Sequence, residues 1–231
     1  GSAGASCIGG SIIISDIHPG VGAIHTQSYW SGYNQIMASN LMDSGLSPDE
    51  IIAHLIENDV NNNPSIRQYG IVDIYEGGRS AAFTGDNCMD YKNHILGPNY
   101  AIQGNILLNE QILINIENNF NSTIGTLSDK LMAALQGANI SGADSRCLDN
   151  ETSSLSAFIR VAEPFDQNNN FLLDLNINNT SNGQEPIDLL QELYNQWLNE
   201  QDPIGDISGD GILNVSDLII IVDFILEEIY D

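Results

Sequence analysis

The segment DISGDGILNVSD, residues 206–217, sets short oxygen-bearing side chains at alternate positions around a glycine. Counted from Asp206, Ser208 is third, Asp210 fifth, Gly211 sixth, Ile212 seventh, Asn214 ninth and Asp217 twelfth. A calcium loop uses this arrangement: alternate side chains, one backbone carbonyl and a final carboxylate supply the oxygens, and glycine makes the sharp turn. Asp206, Ser208, Asp210, the Ile212 carbonyl and Asp217 are therefore candidate ligands for Ca2+. The competing reading is an acidic helix start without metal. The apolar run that follows, LIIIVDFIL, predicts a helix over 216–229 that is apolar nearly all round and needs a surface to cover it.

A second set of polar residues sits inside apolar strand patterns. In AIHTQS, His25 and Gln27 share one face of a strand. In AIQGNIL, Gln103 and Asn105 do the same, and Gly104 between them permits close backbone approach. In GADSRC, Asp144 and Arg146 bracket Ser145. These six residues are candidates to line one pocket at a sheet edge. That pocket is either a structural hydrogen-bond network between strands or a place that binds or cleaves an amide. No spacing pairs a serine with a histidine, so no triad is assigned. His18 reads as a turn residue before Pro19, His54 as helical and His94 as part of a loop. None has metal-ligand spacing.

The elements that must position these residues follow from periodicity and punctuation. SIIIS (11–15) and GVGAIHTQSYW (20–30) read as strands. YNQIMASNLMDSG reads as a helix with Ile36, Met37, Leu41 and Met42 on its apolar face, ending at Gly45. Ser47, Pro48 and Glu50 make a capping box for a second helix with the stripe Ile51, Ile52, Leu55 and Ile56. RQYGIVDIY and RSAAFTG, joined by EGG, predict a hairpin. NYAIQGNILL is a further strand, and two helices follow it, in NEQILINIENNF and TLSDKLMAALQGA. SSLSAFIRVAEP and NFLLDLNIN form a second hairpin, and EPIDLLQELYNQWLNE is a helix. The order is α+β with mostly antiparallel pairing.

The chain has 231 residues, with six Lys or Arg against 31 Asp or Glu and a net charge of −25. Nucleic-acid and anionic-membrane binding need basic clusters, and the sequence has none. The longest apolar run is far too short to span a bilayer, so no membrane insertion is expected. The chain opens without Met or a signal peptide, so it is expected to be processed or truncated. The three cysteines, Cys7, Cys88 and Cys147, allow three buried thiols or one disulfide. The polar, turn-like settings of Cys88 and Cys147 favour a bond between those two in an oxidising compartment, with Cys7 left as a buried thiol.

The segments GVGAIHTQSYW, YGIVDIYEGGRSAAFTGDNCMDYKNHILGPNYAIQGNIL and GADSRC…SSLSAFIRV resemble, in order and spacing, the domain of unknown function 1028 family. The resemblance covers roughly residues 1–190 and is most specific over 69–107. It implies the four-layer αββα sandwich of the N-terminal-nucleophile hydrolases. It also implies an extra first strand, ahead of GSAGASC in relatives, whose absence would leave an open sheet edge here. Hydrolases of this kind carry Thr, Ser or Cys as first residue; this chain has Gly1, with Ser2 and Cys7 internal. The calcium segment resembles one repeat of a type I dockerin, a module that carries two. The expectation is an αββα domain over 1–200 and a calcium-binding loop and helix over 201–231. The expected protein is secreted, extracellular or periplasmic, and acts as a binding or assembly (scaffold or filament) subunit. Self-association or a protein partner would engage the C-terminal helix or the open edge. The alternative is an N-terminal-nucleophile amide hydrolase acting on a peptide-like or small amide substrate.

Overall fold

The computed structural model describes residues 1–167, 170–181, 183–201, 207–209 and 214–230, the last four of these by backbone only. Two compact units divide the chain, Gly1–Leu190 and Gln191–Asp231. The first is mixed α and β. Strands β2 (Ser15–His18), β3 (Gly22–Gln27), β4 (Gln68–Asp73) and β5 (Arg79–Thr84) form one antiparallel sheet in that order. A second sheet has the order β1 (Ser2–Ser6), β8 (Ser156–Val161), β9 (Leu173–Ile177). Strands β6 (Asn93–Gly97) and β7 (Tyr100–Gly104) make a separate hairpin.

Alternation along β3 sorts its side chains. Ile24 points to a core with Tyr69 and Ile71 of β4 and Ala81 of β5, covered by helices α1 (Gly32–Asp43) and α2 (Pro48–Glu57). Residues 23, 25 and 27 face the other way. Helix α2 starts with the expected capping box, the Ser47 hydroxyl and Glu50 carboxylate each serving the other's backbone N–H. Its buried residues Ile51, Ile52 and Leu55 are those of the predicted stripe. Helix α1 follows the expected face at three of four positions: Met42 is buried and Met37 and Leu41 pack against the core, with Asn34 and Ala38 buried beside them, whereas Ile36 is exposed. Asn34 is accommodated there because its Nδ2 donates to Asp59 Oδ2 (2.6 Å) and to the Tyr69 hydroxyl (2.9 Å). Helices α3 (Gln111–Ser122) and α4 (Leu127–Gly137) pack on each other; α4 also lies on β1 and β8, and α3 on β6 and β7. A capping box between Thr126 and Asp129, not anticipated, starts α4.

The isoleucine run after Gly10 is a 3-10 turn, Ser11–Ile14, rather than a strand. Gly10 takes φ 77°, a left-handed turn conformation that breaks extension, and pairing begins only at Ser15 opposite His25. His94 lies in β6, not in a loop. The disulfide also differs from expectation: Cys7 bonds to Cys147, with Cα atoms 5.6 Å apart, and Cys88 is a buried thiol. Local polarity misled because long-range pairing decides the matter. Cys7 leaves the end of β1, where its N–H donates to Asp144 Oδ2 (2.9 Å), so the turn carrying Cys147 is held beside it. Cys88 is enclosed instead, its thiol directed at the Arg67 carbonyl (3.2 Å).

In the second unit, Tyr194 and Trp197 of α5 (Pro186–Gln201) stack with ring centroids 5.7 Å apart. Helix α6 (Val215–Tyr230) exposes Leu218, Ile219, Val222 and Phe224. Among the described residues, no helix is long and apolar enough to cross a membrane.

Candidate functional site

A cavity of about 890 Å³ opens in the first unit, within the roughly 300–1,000 Å³ of ordinary small-molecule pockets. His25, Gln27, Gln103, Asn105, Asp144 and Arg146 all line it. Most of the remaining wall is glycine and apolar side chains, among them Ile102, Leu113 and Leu135.

The polar floor is built by register. Ser15 and His25 are directly opposed on β2 and β3 and so share a face. Ser2 reaches them from the other sheet: its hydroxyl lies 2.8 Å from Ser15 Oγ and contacts His25 Nε2. On the far side of the ring, Gln103 Nε2 meets His25 Nδ1 at 3.1 Å. With the amide nitrogen on this side, Nδ1 accepts and the ring proton sits on Nε2, directed at Ser2; the amide oxygen Oε1 is buried without a hydrogen-bond partner among the described residues. Gln103 fits there because residue 70 is glycine; a Cβ on Gly70 would lie 2.0 Å from Gln103 Oε1. Burial lowers the His25 pKa to about 4, so the ring is neutral at neutral pH. The Phe158 ring lies beside it, with centroids 5.8 Å apart.

The other candidates separate into pairs. Gln27 donates to Gln68 Oε1 (2.8 Å), and Gln68 in turn donates to Thr84 Oγ1 (2.9 Å) and the Gly104 carbonyl (3.0 Å). Arg146 binds Asp144 in a fork, Nε to Oδ1 at 2.9 Å and Nη2 to Oδ2 at 2.5 Å, and its Nη2 also reaches Ser6 Oγ at 3.1 Å. Asn105 has no side-chain hydrogen bond among the described residues. Residues that the sequence did not single out are Ser2, Ser15 and Gly70. Ser2 hides in a run of small residues, GSAGAS, where nothing marks one hydroxyl as different.

At the mouth, Ser28 and Tyr29 hold φ of 56° and 53°. The buried Arg67 guanidinium fixes that turn by donating to the Tyr29 carbonyl, while its Nε is paired with Asp59 Oδ2 at 2.7 Å.

Of the calcium candidates, Asp206, Asp210 and Ile212 lie outside the described residues. Ser208 and Asp217 are described. The buried Asp217 carboxylate accepts from the N–H of Ser208 (3.0 Å) and of Asn214 (2.8 Å). Among the described residues, no group of three or more His, Cys, Asp or Glu is placed to hold a metal.

A comparison with curated proteins found no match. Among solved structures, protein SPO2555 from Silicibacter pomeroyi, itself assigned to DUF1028, matches with a TM-score of 0.68 at 21% identity. The match covers 84% of this chain and 81% of that one. At that identity the likeness speaks for the fold alone. The model of a family of unknown function, DUF1028, matches residues 1–189, and the chain therefore belongs to that family.

Proposed function

We propose that the protein is an extracellular binding protein whose first unit takes a small, largely apolar molecule into the cavity between its strands. The observation that carries this reading is the hydrogen-bond chain Gln103–His25–Ser2–Ser15. Gln103 holds the proton on His25 Nε2, so the ring donates to Ser2 rather than drawing its proton, and its low pKa makes it a poor base. A site in that state holds a ligand better than it attacks one, which favours binding over amide hydrolysis. Calorimetry with medium-chain amphiphiles is expected to give one saturable site with no product formed. Release of amine from an anilide, abolished by Ser2→Ala, would establish the hydrolase instead.

In this reading the first unit is a four-layer sandwich of the N-terminal-nucleophile type. Helices α1 and α2 over one sheet and α4 on β1 and β8 support that arrangement. The Cys7–Cys147 bond supports an oxidising, secreted location. The C-terminal segment is a calcium-binding loop and helix that engages a partner or a second copy. The folding of the Asp217 carboxylate back onto the N–H groups of the third and ninth loop positions supports a closed loop. Asp206, Ser208, Asp210, the Ile212 carbonyl and Asp217 would hold the ion. Calorimetric titration should show calcium uptake that Asp210→Ala removes; equal uptake by both proteins rejects these ligands.

A further inference from the structure

The polar groups around the cavity divide into those already engaged and those still free. Asp144 is engaged: Arg146 and the Cys7 N–H occupy both its oxygens. So is Asp73, held by Arg79 Nε at 2.9 Å and Nη2 at 2.5 Å. His25 is committed on both ring nitrogens. Besides the buried Gln103 Oε1 and the Gly1 amine, which also line the cavity, two groups remain on neighbouring stretches. Arg146 bonds through Nε and Nη2 only, which leaves Nη1 as a donor. Asn105 has both its amide donor and its amide acceptor unused among the described residues.

These two are brought together by the backbone. Leu107 and Asp144 form an antiparallel bridge, the Ser145 N–H donates to the Ile106 carbonyl (2.8 Å), and the Leu108 N–H donates to the Ala143 carbonyl (3.0 Å). The stretch bearing Asn105 therefore runs directly alongside the stretch bearing Arg146. Between them the chain is strained. Ile106 takes φ 60°, a left-handed conformation that a β-branched residue avoids. It is held there by its N–H to the Met89 carbonyl (3.0 Å) as well as by the bond from Ser145. Strain of this kind persists where the surroundings over-determine it, and it clusters at ligand sites.

We infer that Asn105 and Arg146 read a secondary amide, and that the cavity's ligand is an apolar chain carrying one, such as an N-alkyl acyl amide. The inference rests on the binding function proposed above and names its ligand. The match is one of donors and acceptors. The amide carbonyl accepts from Arg146 Nη1, and the amide N–H donates to Asn105 Oδ1. The hydrocarbon lies along Ile102, Leu113 and Leu135. An ester of the same length offers the carbonyl but no N–H, and leaves Asn105 Oδ1 without a partner. A fatty acid carboxylate also lacks the donor and is repelled by a chain of net charge −25.

Three ligands of one chain length separate these cases: N-methyldecanamide, methyl decanoate and decanoate, titrated calorimetrically into the full-length protein at low salt. N-methyldecanamide is expected to bind about tenfold more tightly than the ester, the loss that goes with one unmade buried hydrogen bond. Decanoate is expected to bind more weakly still. In Asn105→Ala the amide should fall to the affinity of the ester, with the ester unchanged. Equal affinity for amide and ester in the wild type overturns the recognition while leaving a binding cavity. Binding by none of the three overturns both. The wild-type series decides the matter even if the variant does not fold.

Discussion

The β2–β3 hairpin carries two histidines, one on each strand, whose surroundings treat the proton in opposite ways. His25 faces inward, between a hydroxyl, a carboxamide and an aromatic ring, and burial pushes its pKa down to about 4. His18, at the end of β2, has carboxylates on both sides: Nδ1 is 2.7 Å from Asp43 Oδ1 and Nε2 is 3.4 Å from Asp16 Oδ2. The Asp16 carboxylate raises its pKa against the opposing effect of burial, and Asp43 adds to the rise. The same residue type on one hairpin is thus held neutral on one strand and has its protonated form favoured on the other. Burial favours the neutral form at His25, and the two carboxylates overcome the same effect at His18.

Opening the inner site should disturb this contrast most. Replacing Cys7 and Cys147 by Ser removes a cross-link between residues 140 apart, worth about 5 kcal/mol in the chain-entropy model. Urea unfolding is expected to show most of that loss. Proton NMR titration should show the His25 pKa moving up towards its ordinary value as water reaches the ring, with His18 unmoved. Acid acts next. A histidine with a depressed native pKa lets the unfolded chain bind more protons, so stability falls as pH drops from 6.5 towards 4. Over that window the loss is about 3 kcal/mol. His25→Gln should flatten this component of the pH profile, which is read from the difference between variant and wild type.

Gly70→Ala comes third. Its Cβ would displace the Gln103 amide and free His25 Nδ1, at a cost of about 1–2 kcal/mol. Nitrogen NMR of the ring should then report loss of the single tautomer. The smallest effect is at His18. Its raised pKa contributes stability that is present below pH 6.5 and lost as pH rises through the native value. Asp43 is well exposed, so His18→Gln is expected to cost only about 1 kcal/mol or less at pH 5.5, and less above neutrality. A slope of the same sign at both histidines would break the comparison.

Much of the scaffold could be read locally. The Ser47–Glu50 cap, the EGG hairpin and the pairing of β8 with β9 all follow from short-range signals, and all are present. Alternation in AIHTQS and AIQGNIL also put His25 and Gln103 on faces that now line one cavity. Failure came where partners are distant in sequence. Ser2 could not be matched to His25, because they belong to different sheets. Cys7 could not be matched to Cys147, because the bond depends on Asp144 reaching the end of β1. The inward turn of Asn34 on α1 was missed because this polar residue is satisfied by Asp59, Val60 and Tyr69, all remote in sequence. The left-handed Ile106 has no signature in composition at all, since its residue type argues against the conformation it adopts.

The bond between Cys7 and Cys147 makes most of the first unit a covalent ring with a short leading tail and a longer trailing one. A protease that nicks an exposed turn inside that ring, such as the Tyr75–Gly78 corner, opens the circle without releasing a fragment. Both new ends stay joined through sulfur, so the nicked molecule runs as a single species until a reductant is added.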